Sequence, residues 1–154
     1  MNSRLHRPEP AEVVAVVLAG LSSGGDLEDL CDTVRAWHGP GSTFPADVLM
    51  ELAADAFIAV GATRADRLQI EGLADRLLPE WPARGNVGHQ KRRHGVHAAV
   101  LIAAGAEPED SSWWSVDDLW FHALLAVVVF VRAAAERRHV SIADVCEGLR
   151  TNRR

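Results

Sequence analysis

With 154 residues, 48% of them hydrophobic and 24% charged, the chain has the size and composition of a single globular domain, long enough to bury about 70% of its unfolded surface. A net charge of −5 argues against a general nucleic-acid-binding domain, whose footprint is an excess of Lys and Arg. The two cysteines, Cys31 and Cys146, are too few for a disulfide framework and read as small buried hydrophobes. Met1 to Pro10 is polar and rich in Arg and Pro, without the apolar stretch of a signal peptide.

Glycine and proline cut the sequence into helical lengths, and β-branched alternation with hairpin turns is almost missing. A first helix is expected over Pro10 to Leu21, stopping at Gly24-Gly25. Asp26 is a good N-cap for a second, with Leu27, Leu30, Cys31, Val34 and Trp37 at helical spacing up to the Gly39-Pro40-Gly41 break. A third starts near Pro45 and carries Val48, Leu49, Leu52, Ala56, Phe57 and Val60, with an acidic stripe of Asp47, Glu51 and Asp55 and Gly61 as its C′ residue. The fourth spans Arg64 to Leu78 and buries Ile70, Leu73, Ala74 and Leu77. Asn86 caps the fifth, which runs to about Ala104. Ser115 with Asp118 forms a capping box for the long sixth helix, which ends near Arg137-Arg138-His139. Ser141 with Asp144 repeats the device for a short last helix. Residues 1–9 and 151–154 read as flexible ends.

Leu119 to Ala135 is apolar except for His122 and Arg132. The run is at the short end for a membrane span and would have to bury a charge, so it reads as the central core helix, apolar all round. The fold class expected is therefore an all-α, single-domain bundle of five to seven helices over 1–154, with a long central apolar helix near 116–138. A cytoplasmic, membrane-free protein follows as the expectation.

The densest chemistry lies between Arg84 and His97. Arg84, His89, Lys91, Arg92, Arg93, His94 and His97 fall there, and no acidic residue occurs between Glu80 and Glu107. At the start of a helix, backbone N–H groups lack partners and attract anions, so Arg84, His89, Lys91 and Arg92 are candidate ligands for an anion. Trp81, Trp113 and Trp114 fall in the flanking loops and would supply apolar area, whereas Trp120 belongs to the core. His89, Arg93 and His97 share one helix face that continues into Leu101 and Ala104. That face is expected to point to the core and to meet the acidic stripe Asp47, Glu51 and Asp55 across a helix pair.

The same region offers two other chemistries. A metal site would use His94, His97 and His122, with Asp118 four residues before His122, although His-Glu-x-x-His and Glu-x-x-His patterns are missing. The stretch Arg92-Arg-His-Gly-Val-His97 resembles the Arg-x4–6-His motif of HEPN domains, helical bundles of which many are dimeric, metal-independent ribonucleases. The resemblance covers six residues and implies that Arg92 and His97 promote attack by a ribose 2′-hydroxyl. The same pattern also fits Arg84 to His89 and Arg132 to His139 in this arginine-rich chain. The cysteines and serines offer no activated nucleophile. The reading that results is a binding or interaction protein without catalysis and without a cofactor. Its expected partners are a second copy, another protein or an anionic ligand, with a nucleic-acid end also fitting.

Overall fold

The computed structural model describes residues 7–61, 67–78, 89–106 and 118–152, and among these the chain is an all-α bundle without strands. Its helices are α1 (Pro10–Ser22), α2 (Leu27–Trp37), α3 (Ala46–Val60), α4 (Arg67–Leu77), α5 (His89–Ala103), α6 (Leu119–Arg138) and α7 (Ile142–Asn152).

The local signals explain most boundaries. Pro10 occupies the first turn of α1, where its missing N–H is harmless. The Asp26 carboxylate accepts from the Glu28 N–H at 2.9 Å and so caps α2. Gly61 takes the left-handed conformation (φ 80°) that ends α3, and Gly105 (φ 85°) does the same for α5. There the Ala106 N–H donates to the Leu101 carbonyl at 2.8 Å, closing the last turn. The Ser141–Asp144 box caps α7: the Asp144 N–H donates to Ser141 Oγ at 3.0 Å and the Ser141 N–H reaches Asp144 Oδ2 at 3.5 Å. The Asn86 cap and Ser115 lie outside the described residues.

Of the two ends, residues 7–9 and 151–152 are among those described. Pro8 is buried, and the Arg7 guanidinium stacks 4.2 Å above the Phe44 ring. The last helix runs on through Thr151 and Asn152, where the Thr151 hydroxyl donates to the Glu147 carbonyl at 2.9 Å.

Helix α6 is the axis of the bundle and packs against α2, α3, α4, α5 and α7. Every side chain from Trp120 to Val131 is buried, as is Ala133 to Ala135. Sealing a Leu, Val or Phe from water contributes about 1.5–3 kcal/mol each, so this one helix holds a large share of the folding drive. It is long and apolar enough to cross a membrane, but 83% of its apolar stretch is covered by the rest of the chain. Its largest partner is α3, and the two run parallel: the Phe57 ring lies 5.2 Å from that of Phe130, and Gly61 lies beside Arg137. Both cysteines are buried, as their apolar neighbours led us to expect.

Candidate functional site

The basic cluster begins helix α5, as its sequence implies. Arg84, Trp81, Trp113 and Trp114 lie outside the described residues, and for His89 and Lys91 only the helical backbone is described. Arg92 is 5% exposed, buried within the bundle.

Arg93 and His97 turn toward α4, not toward α3. This corrects the expected seam with Asp47, Glu51 and Asp55. Arg93 grips Asp75 with two hydrogen bonds of 2.9 Å, from Nε to Oδ1 and from Nη2 to Oδ2. His97 Nε2 lies 2.6 Å from Asp75 Oδ1, and its Nδ1 is 3.9 Å from Glu71 Oε2. The Arg93 hydrogen bond is the main cause that holds the Asp75 carboxyl at about 2. Burial pushes against it and His97 adds to it. The spacing explains the pairing: positions 71 and 75 are one helical turn apart, as are 93 and 97, so the two antiparallel helices interleave acid with base. The expected core-facing stripe is only partly so. Leu101 is buried, while Arg93 is 46% exposed.

The third side chain of note is His122. It is fully buried on α6, where α5 crosses it at Gly95. A Cβ at Gly95 would overlap the His122 ring, so the glycine is what lets the two helices come so close. The Phe121 ring lies 6.0 Å from the imidazole.

These placements decide the remaining candidates. His94, His97 and His122 do not converge: His97 is taken up by Asp75 and His122 lies under Gly95. Among the described residues no group of three His, Cys, Asp or Glu side chains could hold a metal ion. Arg92 and His97 stand about 140° apart around the helix, one buried and the other facing α4. Within one chain they do not form the pair that the HEPN resemblance implies.

The surface that sequence reasoning missed is a groove of about 440 Å³ between α3, α4 and the C-terminal end of α6. Phe57, Val60, Ile70, Leu73 and Ala133 line its floor. Gln69, Arg76, Glu136, Arg137 and His139 line its rim. Arg76 and Glu136 pair across the rim at 2.7 and 2.9 Å, but both are half exposed and solvent weakens the bond. Arg137 is exposed and has no ion-pair partner among the described residues. Ile58, on the same helix as Phe57 and Val60 but not among the lining residues, is 74% exposed. One signal in the sequence marks it: Ile58 is a large apolar residue off the buried stripe of its helix. Comparison with protein-family models, with curated proteins and with solved structures gives no match to this chain.

Proposed function

We propose that this chain is a cytoplasmic, non-catalytic interaction protein that pairs with a second copy of itself across the α3–α4–α6 groove. The observation that carries the reading is Ile58: an isoleucine left 74% in water on α3, the helix whose Phe57 and Val60 line the apolar groove. An exposed apolar side chain and an apolar hollow carried on the same subunit suit a two-fold pairing, in which the same surface of each copy meets the other. The rim carries both charge signs, Arg76 and Arg137 with Glu136, so the same axis sets unlike charges opposite each other.

Two features support an absence of catalysis. The Asp75–His97 pair is turned onto neighbouring charged groups, and burial pushes the Cys146 thiol up to about 11, far from a reactive thiolate.

Sedimentation equilibrium tests the reading. The wild-type protein is expected at twice its 16.7 kDa chain mass at micromolar concentration. Ile58→Asp is expected at the chain mass, with unchanged helical circular dichroism and a melting midpoint that no longer rises with protein concentration. A wild-type protein that stays at the chain mass up to hundreds of micromolar overturns it.

A further inference from the structure

Arg132 is the one charged side chain between Leu119 and Ala135, at the start of the C-terminal third of the chain's most apolar helix. It is half-buried, and burial pushes its guanidinium below the ordinary arginine value. Its expected partner by helical spacing is Glu136, one turn on, but Arg76 holds both Glu136 oxygens. No carboxylate among the described residues pairs with Arg132. Its recorded bond is a long one, Nη1 donating at 3.4 Å to the Leu77 carbonyl at the end of α4. An arginine carries five N–H donors, so most of its capacity is unspent.

Arg132 also forms part of the wall of a cavity of about 200 Å³ between α1, α2, α6 and α7, together with Leu21, Leu27, Val128, Val131 and Ile142. At roughly 30 Å³ per water-sized group, that is room for about six or seven non-hydrogen atoms. One cation, one apolar wall and this volume specify a ligand with one negative charge and a short hydrocarbon tail. We propose that the cavity binds a short-chain aliphatic monocarboxylate, with the carboxylate on the Arg132 guanidinium and the tail against the Leu, Val and Ile side chains. A planar guanidinium matches a carboxylate through two parallel hydrogen bonds, which a lysine ammonium cannot reproduce. Phosphate suits the site poorly, since it brings a second charge and no tail. The cavity shares no residue with the self-pairing groove, so the proposal stands independently of that reading.

The test is thermal melting and calorimetric titration of the full chain with acetate, butyrate, hexanoate and phosphate at fixed ionic strength, with chloride as the control. A ligand that binds only the folded state raises the midpoint by roughly 5–10 °C at a hundred times its dissociation constant. Butyrate is expected to do so, with acetate and phosphate at least tenfold weaker and hexanoate, with eight non-hydrogen atoms, too long for the cavity. Arg132→Lys is expected to lose tenfold or more in butyrate affinity. Ile142→Trp, which keeps Arg132 and narrows the cavity, is expected to lose butyrate binding while remaining folded. The proposal is overturned if butyrate matches chloride, if hexanoate or phosphate binds as well as butyrate, or if both variants bind butyrate like the wild type.

Discussion

The α4–α5 pair and the C-terminal third of α6 each carry a cluster of cations, and folding treats them oppositely. On α5, Arg93 and His97 close onto Asp75, with Glu71 alongside, and Arg92 disappears into the bundle. On α6, neither Arg132 nor Arg137 has an acidic partner among the described residues, and Arg137 stands exposed at the edge of an apolar groove. The richer sequence cluster is thus the one that the protein neutralises for itself, and the sparser one is left with charge to offer. Density of charge along a chain is a poor guide to a site. Charge that stays uncompensated after packing is a better one, because solvating or pairing it is work left to something outside the chain.

Several changes break or sharpen this contrast, and the largest effect is expected at the sealed end. Gly95→Ala would ordinarily stabilise a helix interior by about 1 kcal/mol. Here the new methyl meets the His122 ring, so a loss of about 1–3 kcal/mol is expected in denaturant unfolding. In a His122→Ala background the same substitution should return toward neutral. Equal loss in both backgrounds would mean that the close crossing is not what the glycine serves.

Next comes Asp75. Its lowered carboxyl contributes stability that is present above about pH 4 and is lost as pH falls toward 2. The lowering is worth about 1 kcal/mol once solvent screening of a side chain 36% exposed is allowed for. Asp75→Asn should therefore lower stability by about that amount at pH 7 and flatten its acid dependence below pH 4. An unchanged acid limb would show that the α4–α5 cluster is not self-neutralising. On α6, by contrast, Arg137→Gln should leave the acid dependence of stability where it was, while weakening self-association and the rise of the melting midpoint with protein concentration.

The smallest effect is expected just beyond that helix. His139 closes α6 in the left-handed conformation (φ 55°), a place that glycine fills more easily. His139→Gly should stabilise by up to about 1 kcal/mol, read from the unfolding midpoint, and destabilisation would indicate that the imidazole holds the turn.

Most of the fold was legible because its punctuation is local. Asp26, Gly61, Gly105 and the Ser141–Asp144 pair each act within a few residues, and the apolar run of α6 can only be a core element or a membrane span. The site was not legible in the same way, because it depends on which helices become neighbours. The spacing of His89, Arg93 and His97 defines a face but not the helix that face meets, and α4 supplied Asp75 where α3 offered Asp47, Glu51 and Asp55 with the same periodicity. Gly95 reads as a weak point in a helix until His122 is seen beneath it. Ile58 carried the one usable hint, an apolar side chain out of step with its own stripe.

The parallel run of α3 beside α6 has a consequence for how the chain reaches this shape. Phe57 and Phe130, whose rings touch at the centre of the largest helix pair, are separated by about seventy positions. A bundle of sequential hairpins can zip up from neighbours, but this one has to wait for its ends to find each other across the intervening segment. Refolding should accordingly be slower than is usual for a helical protein of this length, and α3 without α6 should have nowhere to settle.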